Sequence, residues 1–182
     1  MRTFHSDLSW NLVVASPSET LGEFKESVIF LLEDNLDGAL GVVINRPLDK
    51  AVADFSDIAP DSEVGTLDVY EGGPVGMNEL KIAAFVLGDC EVGSFRYGIS
   101  PRELENLEKS SYDVKPMAFL GCVRWGREQL REELKSGYWF LSNVDMNLIF
   151  DTPPEELWEE LMLREFPTVS ELDSPDGNFK SN

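Results

Sequence analysis

Short apolar runs rich in β-branched and large side chains recur along the chain, each bounded by glycine, proline, asparagine or aspartate. The runs at 10–16 (WNLVVAS), 27–34 (SVIFLLED) and 39–45 (ALGVVIN) read as strands. Asn35, Asp37 and Gly38 supply turn chemistry between the second and third, which predicts a hairpin. Further strands are predicted at 67–72, 80–88, 95–100, 116–123, 138–142 and 147–150. Three helices are announced by caps and apolar stripes. SPRELENLEKS puts Ser100 at the N-cap, Pro101 at the first helical position and Glu103 at the third. TPPEELWEELM repeats the device with Thr152, Pro153 and Glu155, and its apolar stripe is Leu157, Trp158, Leu161 and Met162. GREQLREELKSG, at 126–137, shows Leu130 and Leu134 on one side, ends at Gly137, and offers Glu128/Arg131 and Glu132/Lys135 as i,i+3 pairs. About nine strands with three or four helices, beginning with a hairpin, predict an α+β domain: a mixed sheet with helices packed on it.

The length of 182 residues and the hydrophobic fraction of 42% agree with one folded domain. Residues 1–165 are expected to form it, and 166–182, which lose periodicity and gain turn formers, to form a loosely attached tail. Charge changes the functional picture most. With 34 acidic against 15 basic residues, a net of −19, the chain is poorly matched to phosphate backbones and anionic membrane surfaces, so neither nucleic acid nor membrane is expected as a direct partner. No apolar stretch reaches the about 18 residues of a membrane span, and the N-terminus lacks a signal-peptide core. A cytoplasmic protein with reduced thiols is expected. His5 is the only histidine, and Cys90 and Cys122 form no CxxC pair. That inventory opposes a zinc site or a histidine-based triad, and no phosphate- or dinucleotide-binding glycine loop is present, so no metal or cofactor is expected.

Candidate chemistry sits at three places. Asn45 and Arg46 end an apolar strand just before Pro47, which stops its pairing. Arg46 reads either as an anion or carboxylate clamp or as a local ion-pair partner of one of many carboxylates. Gly72 and Gly73, in YEGGPVG, form either an anion-holding backbone nest or a tight turn. In LGCVRWG a strand passes into the third helix through Arg124 and Trp125, which could hold a planar or anionic ligand at the helix N-terminus, while Trp125 could instead pack as an apolar contact of that helix. Cys122, in the same junction, is either a reactive thiol or a small core hydrophobe.

Taken in order, FKESVIFLLEDNLDGALGVVINRPL, YEGGPV, FLGCVRWGREQLREELKSGYWF and LIFDTPPEELWEELM resemble the YqgE/AlgH family of bacterial proteins over about residues 10–165. The resemblance implies a single cytoplasmic α+β domain with a large, strongly curled mixed sheet. It implies little about activity, since the family is mostly described as uncharacterised, with a transcriptional-regulator label attached through a member linked to alginate production. The positions matching the family pattern are Asn45, Arg46 and Pro47; Gly72, Gly73 and Pro74; Gly121, Trp125 and Gly126; and Phe150, Asp151, Thr152 and Pro153. Cys122, Val123 and Arg124 depart from it, standing where the family more commonly reads Tyr-Ala-Gly.

Two functions follow as expectations. One is a regulatory or interaction protein, without catalysis, that acts through a protein partner or a small anionic ligand. The other is a ligand-binding protein or enzyme whose site gathers Asn45, Arg46, Gly72, Gly73, Arg124 and Trp125. Direct transcriptional regulation has the family label for it and the charge against it. Convergence of Arg46, Gly73 and Trp125 on one pocket would favour the ligand site.

Overall fold

The computed structural model describes residues 7–17, 19–88 and 93–167. His5, Cys90 and nearly all of the predicted tail lie outside the described residues. The strands are β1 (Asn11–Ala15), β2 (Val28–Asn35), β3 (Gly38–Val43), β4 (Pro47–Ala51), β5 (Asp68–Glu71), β6 (Val75–Leu87), β7 (Gly93–Ile99), β8 (Asp113–Gly126) and β9 (Trp139–Asn143). The helices are α1 (Pro101–Glu108), α2 (Gln129–Lys135), α3 (Met146–Asp151) and α4 (Leu157–Glu165). The nine strands form one mixed, open sheet in the order β4-β5-β8-β3-β2-β1-β9, with β6 also paired to β8 and β7 to β6. Every pairing is antiparallel except β5 with β8. The α+β class expected from the element pattern is therefore the observed one.

Strand alternation sorts the apolar residues into three cores. Leu12, Val14, Phe30, Val42, Phe85, Phe95 and Phe119 face an inner core shared by both halves of the sheet and capped by Leu148 and Ile149 of α3 and Leu157 and Leu161 of α4. Val13, Ile29, Leu31, Val43 and Trp125 face the opposite side, under Leu130 of α2. Val69, Ile82, Ala84 and Ala118 form a third core with Leu104 of α1 and with Val52 and Val64. The central strands are thus covered on both faces, which is why they read as continuous apolar runs.

β8 joins the halves. Its residues from Asp113 to Leu120 pair with β6, Ala118–Leu120 pair with β5, and Val123–Gly126 pair with β3. Gly121 breaks the alternation at φ 73°, so Ala118 faces the third core while Val123 and Trp125 face the second. At that point the chain after β5 crosses β8 backbone to backbone. A Cβ on Gly73, at φ 149°, would overlap the Cys122 carbonyl, and one on Gly121 would overlap the Gly73 carbonyl. Only glycine meets both demands.

Several local expectations need correction. NLIF is not a strand but most of α3: the Asp145 carboxylate accepts from Leu148 N–H at 3.1 Å as an N-cap, and Met146, Leu148 and Ile149 are buried. A four-residue apolar run is ambiguous by period, and the cap decides it. Thr152 therefore ends α3 instead of capping the next helix, and a 3-10 turn, Pro154–Glu156, leads into α4. Pairing does not stop at Pro47: proline opens β4, an edge strand on β5, where its missing N–H is tolerated. The helix predicted at 126–137 is shorter, because Gly126 remains in β8 and Glu128 adopts a left-handed conformation, φ 61°, before α2 begins. Arg131 feels Glu128, as expected, but its main partner is buried Asp34, with which it makes a two-pronged ion pair at 3.0 and 2.7 Å that pins α2 to the β2–β3 hairpin. The Ser100 capping box is as expected, with Glu103 N–H donating to Ser100 Oγ and Ser100 N–H to Glu103.

Two predictions test this account. Gly121→Ala should lower the unfolding free energy by about 3 kcal/mol, combining left-handed strain with a backbone overlap; a urea titration checks it, and a loss below about 1 kcal/mol would contradict the crossing. Burial, helped by neighbouring acidic groups, pushes the phenols of Tyr70 and Tyr97 from the ordinary 10.0 up to about 12. Because the folded state holds them neutral, their contribution is complete below pH 10 and is lost as pH rises towards 12. Stability should therefore fall over that window, and the Tyr70→Phe/Tyr97→Phe chain should show a shallower fall in urea titrations across pH.

Candidate functional site

β8, α2 and β9 build an aromatic groove on the outer face of the second core. Trp125, near the end of β8, and Trp139, at the start of β9, meet edge to face with centroids 6.1 Å apart. Phe24 stands edge-on to Trp139 at 5.7 Å. Both indoles are nearly sealed, yet each N–H has an acceptor: Trp125 and Trp139 donate to the same oxygen, Glu133 Oε2, at 3.0 and 2.7 Å. Gln129 donates to Glu133 Oε1 at 2.8 Å and accepts from Gly126 N–H at 2.9 Å. Glu133 is thus aimed by three donors, each charge-assisted bond contributing about 1.5–3 kcal/mol, and retains acceptor capacity on Oε1. Pro74, Val75, Arg124 and Tyr138 complete a groove of about 400 Å³. Its rim is apolar and open, with Val75 41% and Tyr138 43% exposed, while Trp125 and Trp139 below are 5% and 3% exposed.

A separate hollow of about 380 Å³ lies beside Arg46 and α4, lined also by Lys25, Glu26, Glu155, Trp158 and Glu159. Asn45 borders it but is occupied: its Oδ1 accepts from Val28 N–H at 2.8 Å and its Nδ2 donates to the Glu26 carbonyl at 2.9 Å. That amide bridges β2 to the end of β3, which explains a buried asparagine after an apolar run. Arg46 donates from Nη2 to the Lys25 carbonyl at 2.9 Å, and among the described residues no carboxylate lies within ion-pairing distance of it.

The structure therefore divides the sequence candidates. Arg124 and Trp125 meet at the groove, Asn45 and Arg46 at the hollow, and no residue lines both. Gly72 and Gly73 line neither. The Gly72 N–H donates to the Leu120 carbonyl at 2.8 Å and its carbonyl accepts from Val43 N–H at 2.9 Å. In the fold they let two backbones approach closely. Arg124 and Trp125 stand inside β8, three residues short of α2, so they do not form a strand-to-helix junction. Cys122 is half-buried, with Sγ 3.6 Å from the Val75 carbonyl. It neighbours Tyr97, whose phenol is raised by burial first and then by Cys122 and Glu79, with Arg124 opposing. No group of three or more histidine, cysteine or acidic side chains placed to hold a metal occurs among the described residues.

The groove residues that sequence reasoning passed over include Phe24, Val75, Gln129, Glu133, Tyr138 and Trp139. Trp139 reads as an ordinary strand residue, and Glu133 as one charge of a solvated helix face. The available signal was two tryptophans bracketing an acid-rich helix, because a buried indole N–H requires an acceptor.

The comparisons agree with this architecture. The chain is similar to a UPF0301 protein of Methylococcus capsulatus, 30% identical over 172 residues, covering 87% of this chain and 91% of that one. It is similarly close to a UPF0301 protein of Streptomyces avermitilis, 30% identical over 177 residues and covering 88% of both. Among solved structures, AlgH from Pseudomonas aeruginosa superposes with a TM-score of 0.67 at 26% identity, over 97% of this chain and 98% of that one. A Corynebacterium diphtheriae protein, at 21% identity and a TM-score of 0.63, shares the fold over 90% of each chain. Residues 12–167 match the AlgH-like family model, and the chain belongs to that family.

Proposed function

We propose that this protein works by binding a partner protein, without catalysing a reaction, and that the aromatic groove is where the partner docks. The observation that carries this reading is the step from an exposed apolar rim, Val75 and Tyr138, to a rigid aromatic floor with an oriented carboxylate. Fixed aromatic floors with open rims are what anchor residues of a partner fill. A groove of about 400 Å³ takes one or two side chains, the size of an anchor.

The occupant is a protein segment with an apolar residue beside a basic one. The apolar side chain covers Val75 and Tyr138, and the cation reaches the remaining acceptor site on Glu133. Charge complementarity supports the choice, since a net charge of −19 favours basic partners and steers them inwards. The same charge opposes contact with DNA, so a regulatory role in the cytoplasm would run through the partner. No helix among the described residues is long and apolar enough to cross a membrane.

Peptide selection against the full chain tests the reading. Enriched peptides should pair a lysine or arginine with an aromatic or aliphatic neighbour. They should lose about tenfold in affinity on Tyr138→Glu or Val75→Asp, and weaken as salt is raised. Peptides that bind both variants as tightly as the parent would place the interface elsewhere. A mobility-shift assay at low salt should show no complex with random or promoter DNA at micromolar protein.

A further inference from the structure

The hollow beside Arg46 has no place in partner docking at the groove, and its charges are arranged unusually. In a chain with 34 acidic residues, the one hydrogen-bond acceptor of the Arg46 side chain among the described residues is a backbone carbonyl. Glu155 and Glu159 line the same hollow, yet neither reaches the guanidinium, and neither forms an ion pair with any described residue. Opposite charges that face one cavity without touching leave a gap for a molecule carrying both signs. Trp158 lines the hollow as well, its Nε1 donating to the Ala15 carbonyl at 2.8 Å, so the ring is held in one orientation. Two of the sequence blocks that carry the family resemblance, NRP and TPPEELW, thus meet here in space.

We infer that this hollow binds a free basic amino acid of the lysine or arginine type. A carboxylate on the ligand pairs with Arg46, as a guanidinium fork suits it. The aliphatic stem lies along Trp158, and the cationic end meets Glu155 and Glu159. Simple anions fit worse, because Glu155 and Glu159 repel them, and simple diamines leave Arg46 without its counter-charge. Lys25 and Glu26, 3.9 Å apart, offset one another, so the balance left over is one guanidinium against two carboxylates. A ligand with one negative and two positive groups complements that balance, whereas a neutral-side-chain amino acid leaves one glutamate unmatched. The volume of about 380 Å³ admits one such molecule.

Calorimetric titration of the full chain with L-lysine and L-arginine, beside norleucine (no side-chain cation), cadaverine (no carboxylate) and acetate, tests the assignment. L-lysine or L-arginine should bind saturably, at least about tenfold more tightly than any of the three controls. Arg46→Met should cost the amino acids about tenfold and leave cadaverine unchanged, while Glu155→Gln/Glu159→Gln should cost L-lysine about tenfold and norleucine, whose α-ammonium meets only one glutamate, less than that. The two glutamates are exposed and their side chains make no hydrogen bond with any described residue, so their double variant remains informative even if Arg46→Met unfolds. Absence of saturable binding up to about 10 mM, equal binding of acetate or cadaverine, or indifference to the glutamate variant would overturn the assignment. Because neither variant touches the groove, peptide docking at Tyr138 is expected to survive both, and its fate is read separately.

Discussion

The fold depends on one backbone crossing, where the chain at Gly72–Gly73 passes against Gly121–Cys122 with no room for a Cβ on Gly72, Gly73 or Gly121. β8 can serve both halves of the sheet only because it changes the face it presents at Gly121. Before that residue its alternate side chains serve the inner and third cores, and after it they serve the inner and second. The neighbouring hydrogen bonds show how tightly the crossing is built in: Gly72 donates to β8 and accepts from β3, and Glu71 donates to the Arg46 carbonyl. A polar backbone buried among strands must be paired, and here β3, β5 and β8 satisfy one another at the single point where all three meet. Without it the sheet would be two separate pieces, each too small to cover its faces.

The groove is a consequence of that turn. Reversal at Gly121 brings Trp125 to the second core, where α2 and β9 cover it, and burial then forces a solution for two indole N–H groups. Glu133 supplies it for both. The Asp34–Arg131 pair fixes α2 from its other side, with Asp34 Oδ2 also accepting from Leu8 N–H at 2.8 Å. A buried ion pair of this kind gains little net stability over apolar packing, but removing either partner strands a charge. Its effect is geometric: α2 is only seven residues long, and a helix that short holds its position through tertiary contacts alone. The carboxylate in the groove is therefore as well placed as the strands beneath it.

The sequence was legible where one physical rule acted locally. Apolar runs marked the central strands because those strands are buried on both faces, Asn35 and Gly38 marked the hairpin, and Ser100 marked the start of α1. It was less legible where the deciding contact is distant. Arg131 finds Asp34 across 97 positions, and Trp125 and Trp139 share an acceptor that looks solvated in one dimension. NLIF failed because a short apolar run fits two periods, and β4 because proline at an edge costs no ladder bond. The candidate residues do not gather at one place: Arg124 and Trp125 border one cavity and Arg46 another, while Gly72 and Gly73 stand at the backbone crossing.

The two cavities still share a wall. Phe24 lines the groove, and the next residues, Lys25 and Glu26, line the hollow. This segment is short and tightly turned: Lys25 N–H bonds to the Gly22 carbonyl, Ser27 N–H to the Phe24 carbonyl, and Glu26 sits at φ 58°. Arg46 holds the Lys25 carbonyl from the hollow side, while Phe24 packs on Trp139 from the groove side. Arg46, in the short link between β3 and β4, thus holds from one side the turn that Phe24 packs from the other, and that turn separates the groove from the hollow.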